Sequence, residues 1–196
     1  MKITEYILGG AWLLVLLSNL GIFAQNMQKE YPRIKPGKIY KQTGATVASP
    51  NQIQWQIVKA DKLETVFLKT TAEGKLNAFA RTMKIDVHEN VKDLFDSLES
   101  LKKSEIRELN MDSLHFNNTE FKETPCLQYD GIFRNPVPNY EYFNMSGYIC
   151  RHPDDKNVAV QFEFSNYSNT RGYTAVENKL SKSFFEKIKF AKITSK

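Results

Sequence analysis

Several stretches of the chain alternate apolar and polar residues, a spacing of two that predicts β-strands. The clearest is VAVQFEFS at residues 158–165, whose even-numbered positions up to 164 are all apolar. Such alternation predicts a strand with one buried face and one wet or partly covered face. ETVFLKTT and KLNAFARTMKIDV are two further strand-like runs, and the AEG between them indicates a hairpin.

Two stretches change to a spacing of three and four residues, which predicts helices. In the first, HENVKDLFDSLESLKKSEIREL, Asn90 is a suitable N-cap. Its apolar residues fall on one helical face: Val91, Leu94, Phe95, Leu98 and Leu101. Its opposite face is expected to be solvated: Lys92, Asp96, Glu99 and Lys103. The second begins with a capping box of Thr174 and Glu177 and has its own apolar stripe: Val176, Leu180, Phe184 and Ile188.

The order of strands, helix, strands, helix predicts an α+β fold, with a largely antiparallel sheet flanked by a central and a C-terminal helix. We expect residues 53–196 to form this single domain. Residues 25–52 are basic, contain prolines and glycines, and show no sustained period, so they predict a linker. RNPVPN at 134–139 is expected to be a loop, because its two prolines block regular structure.

The N-terminus has the layout of a secretory signal. One lysine precedes an apolar run, and Ile22 and Ala24 occupy the positions that a signal peptidase inspects. Residues 1–24 therefore predict a cleaved signal peptide and export to the periplasm or the medium. The alternative is an uncleaved membrane anchor at residues 6–24, because that segment is about long enough to cross a bilayer.

The positive charge is unevenly distributed. The formal net charge is +5, and residues 29–41 alone contribute +4, whereas residues 42–196 carry 21 basic and 20 acidic side chains. A nucleic-acid-binding body needs an excess of positive charge to neutralise phosphates, so we predict no nucleic-acid partner. Because the excess charge lies in residues 29–41, we expect this segment to contact an anionic membrane surface weakly.

Cys126 and Cys150 are the only cysteines. In an exported domain an even number of cysteines indicates a disulfide, and we predict a Cys126–Cys150 bond. The alternative makes Cys150 a thiolate activated by Arg151 or His152. On a strand, neighbouring side chains point to opposite faces and residues two apart stay too far apart for proton transfer, which argues against that alternative.

The remaining candidate for chemistry is His152, beside Asp154 and Asp155. Two adjacent aspartates followed by Lys156 and Asn157 are typical of a solvated turn. The alternative is a small hydrolase-like enzyme built around His152, which requires this side chain in a concave pocket with a second polar partner. We predict no catalytic residue, metal site or cofactor, since no nucleotide, zinc or nucleophile-elbow motif is present.

Aromatic residues are frequent in the second half of the chain: Tyr129, Phe133, Tyr140, Tyr142, Phe143, Tyr148, Phe162, Phe164, Tyr167 and Tyr173. They indicate a sheet core with tyrosines at its wet edge. The alternative is a partner-binding surface at residues 140–143, because tyrosine-rich patches are favoured at interfaces.

A loose set of motifs resembles a family of exported bacterial proteins with no assigned activity. The motifs are W-x-I at Trp55 and Ile57, C-x-x-Y at Cys126 and Tyr129, G-x-x-C-x-H-P from Gly147 to Pro153, and a closing FFEKIKF. The order of elements is similar to the PsbP-like α-β-α sandwich, whose members are typically binding or assembly factors without catalysis. The resemblance implies an exported, non-catalytic binding or assembly module of the cell envelope, whose partner is an envelope protein or ligand.

Overall fold

The computed structural model describes residues 31–193, which form ten strands and two helices. The strands are β1 Ile39–Gln42, β2 Ala45–Ala48, β3 Gln56–Ala60, β4 Glu64–Thr70, β5 Gly74–Lys84, β6 Asn110–Phe121, β7 Thr124–Val137, β8 Tyr140–His152, β9 Asp155–Ser168 and β10 Lys189–Phe190. The helices are α1 Val91–Ile106 and α2 Ala175–Glu186. The predicted N-terminal signal or anchor lies outside the described residues.

Seven strands form one antiparallel sheet in the order β3-β4-β5-β9-β8-β7-β6. The strands β6 to β9 are joined in sequence by tight hairpins, and β5 pairs with β9 over eleven register positions. Lys122 and Glu123, the two residues between β6 and β7, both have positive φ, which is the geometry of a two-residue hairpin turn. The predicted β4–β5 hairpin is also confirmed.

A second, three-stranded sheet has the order β1-β2-β10. The prediction of a linker without regular structure over residues 25–52 is therefore wrong for residues 39–48. Ala45 and Val47 of β2 are fully buried, and Gly44 with φ of 73° makes the turn between β1 and β2. Each strand is only four residues long, too short to show a period, and β2 pairs with β10 from the far end of the chain.

The structure has three layers. On one face of the large sheet, α1 packs over a core that includes Leu94, Leu98 and Phe133. On the other face, α2 and the small sheet pack over a core that includes Trp55, Phe162 and Phe184. The predicted α+β fold class, an antiparallel sheet flanked by a central and a C-terminal helix, is confirmed.

Both helices begin as predicted. The Asn90 side chain accepts a hydrogen bond from the Asp93 amide, and Thr174 with Glu177 forms the complete capping box. The first member of each apolar stripe is nevertheless exposed, since Val91 and Val176 lie in the first helical turn, which the sheet does not cover.

The expected loop at residues 134–139 is shorter in the structure. Strand β7 continues to Val137, and the β7–β8 register shifts between Arg134 and Val137. This bulge contains Asn135, with φ of 47°, and Pro136. A bulge accommodates a proline within a sheet because the missing N–H is not required there. Only Pro138 and Asn139 remain as the turn.

Candidate functional site

His152, the residue on which the hydrolase hypothesis depends, is buried at the end of β8 and is only 2% exposed. Its Nε2 lies 3.0 Å from the carbonyl oxygen of Gly44 and 3.0 Å from that of Ala191. Its Nδ1 accepts a hydrogen bond of 3.1 Å from the Asp154 amide. Because carbonyl oxygens only accept, these contacts assign the proton to Nε2.

Both nitrogens of His152 are thus bonded to backbone, and neither is free to act on a substrate. The expectation of a solvated turn holds for Asp154, which is exposed, whereas His152 at the end of β8 is buried. The imidazole links the end of β8 to the β1–β2 turn and to the segment after β10. Its ring also packs edge-on against Phe190 at 5.7 Å. The geometry makes His152 a structural residue and gives the hydrolase hypothesis no support.

Replacing His152 by Leu is expected to lower the free energy of unfolding by about 2 kcal/mol, because the hydrogen bonds of the buried imidazole to the Ala191 carbonyl and the Asp154 amide are lost. His152→Gln is expected to cost less, since its carboxamide can still donate to a carbonyl. Urea denaturation measures both, with the exposed His115→Gln as the matched control. Equal stability of His152→Leu and the wild type would contradict this role.

The two cysteines form the predicted disulfide. Cys126 on β7 lies directly opposite Cys150 on β8, and both are fully buried in the core beneath α2. The two cysteines are 24 positions apart in the sequence. The thiolate alternative is therefore wrong, and Arg151 lies one residue along, on the other face of the strand.

A group of six polar side chains is enclosed between α1 and the large sheet, and we call it the buried ionic cluster. Its members are Arg81, Lys102, Glu105, Tyr129, Gln161 and Glu163. None of the four charged side chains is more than 11% exposed. Two cations and two carboxylates give the cluster a formal charge of zero, which is the condition under which buried charges are tolerated.

Lys102 is central to these contacts. Its Nζ donates to Glu163 Oε2 at 2.8 Å and to Glu105 Oε2 at 3.3 Å, and it lies 4.4 Å from the centre of the Tyr129 ring. Arg81 forms an ion pair with Glu105 and donates from Nε to Gln161 Oε1 at 3.0 Å. The cluster therefore ties α1 to β5 and β9 through charge-assisted hydrogen bonds.

The Tyr129 side chain reaches the cluster across β8, because the residue opposite it on that strand is Gly147, which has no side chain. Tyr129, Gly147 and Glu163 are directly opposite one another on β7, β8 and β9. A Cβ at Gly147 would meet the Tyr129 hydroxyl oxygen at 2.5 Å. Without it, the phenol lies across β8 and donates to Glu163 Oε2 at 2.9 Å, while Gln161 Nε2 donates to the phenol oxygen at 3.0 Å.

The protonation states agree with this arrangement. Burial, and after it the negative charge of Glu163, raises the pKa of Tyr129 well above its usual value, so the phenol keeps its proton and donates. Burial alone would raise the pKa of Glu105. The positive charges of Lys102 and Arg81 outweigh burial, so the pKa of Glu105 is lowered and it stays ionised.

The lowered pKa of Glu105 predicts how stability depends on pH. A carboxyl whose pKa is lower in the folded state stabilises the fold above its unfolded pKa and loses that contribution as the pH falls through its folded pKa. The urea midpoint is therefore expected to decline below about pH 4.5. Glu105→Gln should show a lower midpoint at pH 7 and a shallower decline in acid. An identical decline in wild type and variant would contradict this assignment.

The alternation along β9 predicts one buried face and one wet or partly covered face, and the structure covers this second face more completely than expected. Gln161 and Glu163 are buried because α1 covers them. The helix also buries Lys102, which lies between the predicted apolar and solvated faces. The sequence does carry one signal, the Lys102 and Glu105 pair at i, i+3, but such pairs are common on solvated helices.

The aromatic stretch at residues 140–143 is mostly core. Phe143 is buried and packs against Phe133 and Tyr167, with ring centres 5.9 and 4.7 Å away. Tyr140 packs against Tyr167 at 6.2 Å, and Tyr142 lies beneath Arg134. The exposed large hydrophobic residues of the described chain are all aliphatic. The packing favours a sheet core with tyrosines at its edge over an aromatic docking surface.

Residues 31–193 contain neither a metal-binding cluster nor a membrane-spanning helix. No group of three or more His, Cys, Asp or Glu side chains within that range is placed to hold a metal ion. Neither α1 nor α2, the helices of that range, has the length and apolar character needed to cross a bilayer.

Comparison with known proteins places this architecture among solved structures. No family model matches the chain, and no curated protein matches it in sequence. The structure of LpqN, described as involved in cell envelope biogenesis of Mycobacterium tuberculosis, matches with a TM-score of 0.51 and 9% identity, over 88% of this chain and 96% of LpqN. The chain shares the fold of LpqN.

Two further structures are similar. Cyanobacterial PsbP from Synechocystis, whose fold the sequence resemblance named, matches with a TM-score of 0.49 and 9% identity, over 81% of this chain and 94% of that protein. A protein from Bacteroides thetaiotaomicron matches with a TM-score of 0.47 and 16% identity over 80% of this chain. This chain spans about half, 49%, of that protein.

Proposed function

We propose that this protein is an exported, non-catalytic binding or assembly module of the cell envelope. The fold is shared with LpqN, a protein described as involved in cell envelope biogenesis. A shared fold is evidence about architecture, and function has to be argued from individual residues. The proposal therefore depends on what the chemically versatile side chains of this chain do.

The observation that carries the proposal is that these side chains already serve the fold. The two cysteines are joined to each other, and His152 is bonded through both ring nitrogens to backbone. The buried carboxylates Glu105 and Glu163 are neutralised by cations of the same cluster. Catalysis by a general base or a nucleophile needs such a group to be within reach of a substrate. Binding by the exposed surface has no such requirement.

Export is supported by the disulfide, because such bonds persist in oxidising compartments and are rare in the cytosol. It is also supported by the sequence of residues 1–24, which has the layout of a cleaved signal. We infer that the mature protein is released into the periplasm or the medium. The alternative keeps the same domain on the membrane through residues 6–24.

Fractionation of an export-competent host tests the proposal. The full chain is expected in the osmotic-shock fluid or the medium, and a matched variant without residues 2–24 is expected in the cytosol. Recovery of the full chain in a washed membrane pellet would contradict release and support the alternative, in which residues 6–24 anchor the domain to the membrane. Recovery of both proteins in the cytosol would contradict the proposal.

A further inference from the structure

The positive charge of the described chain is concentrated in the small sheet and the segments that lead into it. Residues 31–48 carry four basic side chains and residues 187–193 carry three, and neither range contains an acidic residue. Residues 49–186 carry 17 basic and 20 acidic side chains, a net charge of −3. Residues 49–186 are therefore slightly acidic, whereas the small sheet and its flanking segments are strongly basic.

The strand register places part of this charge on one face. Lys41 of β1 is directly opposite Thr46 of β2, which is directly opposite Lys189 of β10. Directly opposite residues of an antiparallel sheet point to the same side, and Ile39, two residues before Lys41, shares that side. We call these four residues the basic face. The opposite side of the small sheet buries Val47 in the core.

The basic face is open to solvent and its charges are not neutralised locally. Lys41 and Lys189 are exposed, and neither forms an ion pair with a carboxylate of residues 31–193. Ile39, on the same side of β1 as Lys41, is 65% exposed. Lys41 and Lys189, which lack a carboxylate partner within residues 31–193, and the exposed Ile39 do not stabilise the fold through these side chains.

Lys122, from the β6–β7 turn, adds a third positive charge beside β10. Its Nζ donates to the carbonyl oxygens of Glu186, at 3.1 Å, and Ile188 at the end of α2. Burial and then the nearby charge of Lys189 lower the pKa of Lys122, against a smaller opposing effect of Glu186, which agrees with the two lysines being neighbours.

We propose that the basic face docks on an anionic lipid surface. Charge complementarity selects an anionic partner, and anionic lipid headgroups attract clusters of lysine within about one Debye length. The exposed Ile39 distinguishes a bilayer from a soluble polyanion, because an aliphatic side chain gains free energy only where it enters an apolar layer. This inference rests on the proposed export, which brings the domain to the envelope.

Cosedimentation of the protein, purified after export from its host, with vesicles tests the inference. Binding is expected to mixed phosphatidylcholine and phosphatidylglycerol vesicles, and not to phosphatidylcholine alone. Each lysine near an anionic surface contributes about fivefold, so Lys41→Gln/Lys189→Gln should bind about 25-fold more weakly. Raising the ionic strength to about 1 M, where the Debye length falls to about 3 Å, should abolish binding.

The matched control is Lys92→Gln/Lys103→Gln, which removes the same charge from α1, on the opposite layer. It is expected to bind like the wild type. Equal loss in both variants would show that only net charge matters and would overturn the basic face. Equal binding to neutral and anionic vesicles would also overturn it, because residues 6–24 would then account for the binding.

The Ile39→Ser variant distinguishes a lipid partner from a soluble polyanion. Because Ile39 is exposed, the substitution does not open a cavity. It should weaken binding to anionic vesicles several-fold and leave binding to heparin unchanged. Binding to heparin without binding to vesicles would contradict the lipid surface and indicate a polyanionic polymer as the partner. These results concern binding by the purified protein, so fractionation still tests the proposed export separately.

Discussion

Replacing Lys102 by Met is expected to lower the free energy of unfolding by about 3–5 kcal/mol, the largest effect of a single substitution that we predict. Methionine fills a similar volume but leaves Glu163 and Glu105 without the cation that they share. An uncompensated buried carboxylate is costly because burial removes it from water. Urea denaturation at pH 7 measures the loss.

The neighbouring lysine provides the control for this prediction. Lys103 follows Lys102 on the same helix but is 58% exposed, and its ion pair is with the partly exposed Glu99. Lys103→Met should cost about 0.5 kcal/mol or less, as expected for an exposed helix pair. Adding Glu163→Gln to Lys102→Met should recover part of the loss, because it removes one unpaired charge. Equal stability of the two single variants would contradict the buried ionic cluster.

The second large effect concerns the disulfide. Cys126→Ala/Cys150→Ala is expected to lower the free energy of unfolding by about 3 kcal/mol, because the bond restricts a loop of roughly 25 residues in the unfolded chain. The measurement is urea denaturation of the wild type and the variant, each with and without reductant. Reductant should move the wild-type midpoint toward that of the variant and leave the variant unchanged. A wild-type midpoint that does not respond to complete reduction would contradict a stabilising bond.

The elements predicted correctly depend on local signals. The two helices were predicted from spacing and from the Asn90 and Thr174 caps, which act within four residues. The β4–β5 hairpin and β9 were predicted from alternation and turn residues, which are equally local. The disulfide was predicted because the cysteines are few and the N-terminus indicates export.

The elements predicted incorrectly depend on contacts between distant parts of the chain. β2 is stabilised by pairing with β10, so the short sequence around Ala45 and Val47 does not identify it. Gln161 and Glu163 are buried only because α1 folds over them and supplies Lys102. Nor does the spacing show that His152 meets the carbonyls of Gly44 and Ala191, which lie in segments 108 and 39 residues away.

Packing also explains why GYICRHPDD at residues 147–155, the segment with the strongest candidates for chemistry, carries structural residues. Gly147 allows Tyr129 to cross β8, Cys150 closes the disulfide, and His152 bonds the small sheet to the large one. All three serve contacts between strands. The surface that we propose for a partner, the basic face, lies outside this segment.

The most direct test of the central claim is the intact mass of the protein recovered from an export-competent host, after thiol alkylation under denaturing, non-reducing conditions. We predict the loss of residues 1–24 and no alkylation, as expected for an exported domain closed by Cys126–Cys150. A full-length mass would place the protein on the membrane through residues 6–24. Two alkylated thiols would contradict the account, because a reduced Cys126 and Cys150 would remove the structural evidence for export.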